Sequence, residues 1–190
     1  MKPKLTILGD GAFGSFLKEF LADSFVLVDD APSIVLAVPI SAYADCAIKY
    51  KDKHLINVCS VQQPSTAILR GMANHVTSLH PLFGKRTPEN KRHVIITHRC
   101  GLTCEDEFLE LFCKKCTSVR EMSVQQHDMI MAKTHLAAVL AAQQMRIYVD
   151  RAKDIPDELI PNSFRLLRDF VKTLEDMPAG TIESILSNPY

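Results

Sequence analysis

The three glycines of Gly9-Asp10-Gly11-Ala12-Phe13-Gly14 have the spacing of a turn that can hold a pyrophosphate. Such a ligand needs a tight turn, a stretch of backbone with no side chain in the way, and a helix start whose free amides face the phosphates. Gly9, Gly11 and Gly14 can supply these in order, because the turn follows the strand-like run Lys4–Leu8 and precedes Phe13–Leu21, whose apolar residues recur at helical spacing. Ala12 and Phe13 would then open the helix beneath the phosphates. Asp10 is the misfit, since its carboxylate would repel them unless it points to solvent. Asp29 lies where the second strand of a dinucleotide fold places an acid against the ribose hydroxyls and repels a 2′-phosphate. NAD is therefore expected, with NADP possible.

Two other groups bear on chemistry. His127, Met131 and His135 share one face of an expected helix, either lining a cleft or packed in a core. Cys100-x3-Cys104 and Cys113-x2-Cys116, with His93 and His98 upstream, have tolerable zinc-ligand spacing. Against zinc, Phe108, Leu109, Leu111 and Phe112 make Glu105–Lys115 an amphipathic helix that would bury Cys113 as a small apolar residue. No metal is expected, and the six cysteines read as reduced thiols.

Lysine plus arginine equals aspartate plus glutamate at 22 each, so no field of one sign is available for nucleic acid or an anionic membrane surface. Apolar runs such as Ile34–Ile40 fall far short of the roughly 20 residues that cross a bilayer. The start Met1-Lys2-Pro3-Lys4 leads into a strand rather than an export signal, so a cytoplasmic protein is expected.

The elements that must position these groups follow an α/β alternation. Strands are expected at Lys4–Leu8, Phe25–Val28, Ile34–Pro39, His54–Cys59, His75–Leu79, His93–Thr97 and Ser118–Met122, with helices between several of them. This predicts a Rossmann-like, largely parallel sheet. Phe25–Val28 and Ile34–Val38 stand too close for a dozen-residue parallel crossover, so the second strand is expected to be reversed or to be a loop, with the second crossover helix and third strand missing. From Ser123 the pattern turns helical: a capping box at Ser123 and Gln126, a long helix to Arg151, then Ser163–Glu175 and Thr181–Leu186. The expected organisation is a dinucleotide-binding domain over residues 1–120 and a small all-helical substrate and dimerisation domain over 121–190. The alanine-rich stretch Ala137–Ala142 suits close approach of a second helix, and a homodimer is expected.

Several short blocks, in order, resemble the prephenate and arogenate dehydrogenases of tyrosine biosynthesis. They are the glycine turn, Ile34–Pro39, Asn57-Val58-Cys59-Ser60-Val61, Leu79-His80-Pro81-Leu82-Phe83-Gly84, Gln126-His127-Asp128 and Leu167-Arg168-Asp169-Phe170. The resemblance implies oxidative decarboxylation of a cyclohexadienyl substrate, with hydride passing to a nicotinamide that rests on the strand ending in Val38 and Pro39. It implies His80 as the catalytic histidine that deprotonates the ring hydroxyl, and Ser60 as the serine that orients both. His127 and His135 would then line the substrate cleft, and Arg168 and Lys172 would meet a substrate carboxylate. Lys172 departs from the family's arginine, replacing a planar fork by a point charge. Two alternatives stay open: a non-catalytic relative that binds a dinucleotide or an acidic metabolite, and another small dinucleotide-dependent reductase.

Overall fold

The computed structural model describes residues 2–190. Its first part alternates strand and helix: β1 (Lys4–Leu8), α1 (Ala12–Leu21), β2 (Val26–Leu27), β3 (Ser33–Leu36), α2 (Tyr43–Lys49), β4 (His54–Asn57), α3 (Gln62–Met72), β5 (His75–Pro81), β6 (His93–His98), α4 (Thr103–Cys113) and β7 (Ser118–Glu121). The strands form one seven-stranded sheet in the order β2-β1-β3-β4-β5-β6-β7, parallel throughout except where β6 runs against β5. This is the Rossmann-like arrangement expected from the alternation.

Side chains alternate between the faces of a strand, and each face buries one core. Leu5, Ile7, Val35, Ile56 and Leu79 meet Phe16, Leu17 and Phe20 of α1 and Phe108 and Phe112 of α4. On the other face Ile34, Leu36, Leu55 and Val76 meet Tyr43 of α2 and Leu69 of α3. The segment after β5 is anchored in the first core, where the Phe83 ring lies 5.5 Å from Phe20 and 6.2 Å from both Phe16 and Phe112. His80, three residues earlier, is thus carried on a strand end fixed by aromatic packing.

The region between β1 and β3 corrects the expectation of a reversed strand or a loop. β2 and β3 are both parallel to β1 and flank it, pairing Lys4 with Val26 and Thr6 with Ile34. β2 is only two residues long and stops level with Leu5, so the chain steps across one face of β1 and needs no helical crossover. The Thr6 hydroxyl holds that step, donating to Val28 O at 2.9 Å and accepting from Ala31 N at 2.8 Å.

Beyond β7 the described chain is helical. Ser123 caps α5 (Val124–Met131): its hydroxyl accepts from Gln126 N at 3.2 Å, and Gln126 Oε1 accepts from Ser123 N at 3.1 Å. One π-turn (Ala132–Leu136) joins α5 to α6 (Ala137–Arg151) without a break. α7 (Asn162–Glu175) packs against α6, and α8 (Ala179–Leu186) folds back toward the π-turn. α7 is strongly amphipathic, yet Val171 is its only buried residue among those described, while Leu140, Ile147, Tyr148, Leu159 and Leu166 are exposed on this helical region. No described helix is long and apolar enough to cross a membrane.

Candidate active site at the carboxyl edge of the sheet

The three glycines do three different jobs. Gly9 has φ +117°, and a Cβ there would lie 2.1 Å from the carbonyl oxygen of Ala37, so the turn itself excludes any other residue. A Cβ on Gly14 would lie 2.2 Å from Gly9 O, so close packing of α1 on the turn requires glycine. Gly11 is different: its φ of −68° suits any residue, and nothing lies within 4 Å of where its Cβ would be. Neither backbone nor packing demands glycine there, and the space it leaves adjoins a helix start that has no side-chain cap. An approaching pyrophosphate would use that space and those amides. The Asp10 misfit also resolves. Lys18 Nζ donates to its carboxylate at 2.6 Å and holds the exposed group below its ordinary pKa, turned along α1.

Phe13 packs against the first core, and Val38 against the second. Pro39, after β3, meets α8: a Cβ on Gly180 would come within 3.3 Å of Pro39 Cγ, a tight contact that glycine avoids. Asp29 is exposed at a bend beyond β2, where the chain starts across β1.

Ser60 follows β4 and is half-buried. The turn that carries it is braced from below by fully buried Asn57. The Asn57 Oδ1 accepts from Tyr43 OH at 3.0 Å and Cys59 N at 2.9 Å, and its Nδ2 donates to Ser65 Oγ at 2.9 Å.

His80, His127 and His135 come together although they are far apart in the chain. His80 is 4 % exposed, and its Nδ1 lies 2.9 Å from His127 Nε2. The His127 Nδ1 lies 2.7 Å from Asp128 Oδ1. The Asp128 carboxylate also accepts from Gln62 N at 2.8 Å and Gln63 N at 2.7 Å, which are the first amides of α3. Among the described residues nothing hydrogen-bonds His80 Nε2. The His135 ring stands nearly parallel to that of His80, with centroids 6.3 Å apart and 14° between planes. Positions eight apart on a regular α-helix are about 80° out of line. The wider π-turn takes up the difference, so His127 and His135 both face His80. Met131, between them, is buried. Burial, then the neighbouring His127 and His135, hold His80 well below its ordinary pKa, and the imidazole is neutral.

The structure does not bring the expected carboxylate-binding residues to this cluster. Arg168 pairs with Asp157 at 2.9 Å, while Lys172 is exposed on α7, whose packing is with α6. Arg165 is also spent on this turn, donating to Ile160 O at 3.1 Å. Asp128 joins the histidine cluster to α3, a role that its place after His127 in the sequence does not suggest. The signal for it is the start of α3, where Val61 stands at the cap position with no side-chain acceptor of its own.

At the opposite, amino edge of the sheet, His54, Cys100 and Glu105 have ligand atoms within 4.8 Å of one another. The centre of the group is already filled. The Thr77 hydroxyl lies 2.7 Å from His54 Nε2 and 3.6 Å from Cys100 Sγ, and it donates to Glu105 Oε1. His54 Nδ1 lies 3.0 Å from Ser33 Oγ, and Cys100 N and Gly101 N donate to Glu105 at 2.9 and 2.7 Å. This is a closed hydrogen-bond hub. Cys113 and Cys116 pack against the core, and all six cysteines are free thiols.

No protein-family model and no curated protein matches the sequence. Solved structures do match its fold. A protein of Corynebacterium glutamicum ATCC 13032, provisionally named a prephenate dehydrogenase, superposes with a TM-score of 0.71 at 17 % identity over 96 % of this chain and 73 % of that one. Prephenate dehydrogenase from Aquifex aeolicus, solved with hydroxyphenyl propionate and NAD+, gives a TM-score of 0.59 at 15 % identity over 99 % and 83 %. Pyrroline carboxylate reductase from Plasmodium falciparum with NADP bound gives a TM-score of 0.55 at 14 % identity over 99 % and 80 %. The chain therefore has the fold of dinucleotide-dependent oxidoreductases, a fold shared by prephenate dehydrogenases and by enzymes of other substrates.

Proposed function

We propose that this chain is a nicotinamide-dependent dehydrogenase that oxidatively decarboxylates a cyclohexadienyl carboxylate, prephenate or arogenate. The observation that carries the proposal is the pairing, on one edge of the sheet, of a glycine turn with space at Gly11 and a buried neutral His80 whose Nε2 has no partner among the described residues. Residues 1–120 would form the dinucleotide domain and residues 121–190 the domain that supports the substrate side. Gly9 to Gly14 would hold the pyrophosphate of NAD or NADP, Asp29 the adenosine ribose, and Val38 and Pro39 one side of the nicotinamide. Bound there, the nicotinamide supplies the hydride acceptor.

The chain's own work is to position the substrate and manage one proton. His80 Nε2 takes the proton of the ring hydroxyl, and a neutral imidazole is the state this requires. Ser60 orients the hydroxyl from the end of β4, and the His135 ring walls the cleft beside His80. Both ring nitrogens of His127 are occupied, so it supports His80 and leaves direct substrate binding to others. Arg168 and Lys172, held on α7 away from the His80 cluster, are given no part in binding a substrate carboxylate there. The exposed apolar side chains of the helical region support a homodimer. Sedimentation showing only monomer at high concentration would remove that part of the proposal.

The test is nicotinamide reduction, followed by absorbance, for each combination of prephenate or arogenate with NAD or NADP. Turnover that disappears in His80→Asn is the expected result. No turnover in any combination, from protein shown to be folded, would replace this reading by that of a ligand-binding relative.

A further inference from the structure

We propose that Asp128 is a positioning residue that, through His127, sets which nitrogen of His80 carries its proton. The proposal rests on the reading of His80 as a base, but its logic is hydrogen-bond accounting. A carboxylate can only accept, so the 2.7 Å contact between Asp128 Oδ1 and His127 Nδ1 places a proton on His127 Nδ1. With that as the ring's one proton, His127 Nε2 is a bare acceptor. Across the 2.9 Å contact His80 must donate, and its proton sits on Nδ1. That leaves His80 Nε2 unprotonated at the one ring position with no partner among the described residues. Reversal at either step would put a proton on His80 Nε2 and abolish its use as a base.

Asp128 cannot swing away from this duty, because the same carboxylate caps α3 from 65 and 66 residues away in sequence. Asp128, His127 and Gln62 are withdrawn from water, where such bonds are strongest and a lost partner costs most. Asn188 Nδ2 adds a bond to Asp128 O at 3.0 Å, tying the end of the chain to the same point. Seating of α5 on α3 and orientation of the base are therefore one event: a displaced helical region leaves α3 uncapped and His80 undirected.

The test reads the tautomers directly. In 15N-labelled protein at neutral pH, His80 and His127 are each expected to show a protonated Nδ1 and a bare Nε2. Asp128→Ala should release His127 and move the His80 signals toward protonated Nε2, with kcat falling by at least about tenfold. Because Asp128→Ala also uncaps α3, His127→Phe is the companion: it leaves the amides of Gln62 and Gln63 capped by Asp128, while His80 loses the partner that directs it and kcat falls similarly. In both variants KM for the dinucleotide should be unchanged. A protonated His80 Nε2 in the unaltered protein, or tautomers unmoved in both variants, overturns the proposal. Tautomers that move in a protein without turnover uphold the relay and sink the dehydrogenase reading. Turnover with tautomers that do not move does the opposite.

Discussion

The two edges of the sheet each bury a histidine in a polar network, and they differ in one valence. At the amino edge His54 lies between Ser33 and Thr77, both ring nitrogens engaged, with Glu105 closing the group through Thr77. At the carboxyl edge His80 has one nitrogen engaged by His127 and the other unpartnered among the described residues. Burial holds both imidazoles neutral, His54 down to about 4 and His80 well below its ordinary value. Desolvation alone therefore does not mark a reactive histidine. A closed network spends every donor and acceptor on stability, whereas a directed network with one open end holds a group ready for a ligand.

The strongest way to break this comparison is to exchange the two histidines' fates. His80→Asn should lower turnover about 10²- to 10⁴-fold, the range of a lost general base, with little change in melting temperature. An equal loss on replacing His54 would erase the distinction. Thr77→Val should do the reverse, leaving His54 Nε2 and Glu105 without their shared partner and costing about 1–3 kcal/mol of stability. Denaturant unfolding would measure that cost, and kcat of the remaining folded protein should be unaltered.

The glycines give a subtler contrast. Gly11→Ala should weaken dinucleotide binding severalfold without shifting the melting temperature, because its Cβ meets no protein atom. Gly14→Ala should cost about 1–3 kcal/mol of stability through its clash with Gly9 O. Titration calorimetry and thermal melts on the pair would separate the roles, and equal melting temperatures would refute them.

A last contrast concerns pH. The folded His54 titrates at about 4 against 6.5 in the unfolded chain, so between those values the unfolded chain binds the extra proton. Stability should therefore fall as pH drops through that window, by on the order of 1 kcal/mol per pH unit at most from this residue. His54→Gln should flatten the slope of stability against pH between 6.5 and 4. An unchanged slope would assign the acid sensitivity to other groups.

Much of the framework was legible from residue order. The glycine turn, the alternation of strand and helix, the Ser123 and Gln126 capping box and the helices beyond it depend on contacts a few residues apart. The path from β2 to β3 was not legible. A minimum crossover length holds for neighbouring parallel strands linked by a helix, and here a two-residue strand on the far side of β1 sidesteps it. The π-turn at Ala132–Leu136 also lay outside pattern reading, since five residues without glycine or proline show no break in helical spacing.

Sequence by itself determined the glycine turn between strand and helix and the types of group brought to the carboxyl edge, because turn formation, capping and periodicity are settled by near neighbours. Only the tertiary structure decided which of those groups meet. His80 reaches His127 across 47 residues, and Asp128 reaches the start of α3 across 66. Both meetings depend on how the helical region seats on the sheet, which is decided by the packing of whole elements and by the need of every buried donor to find an acceptor.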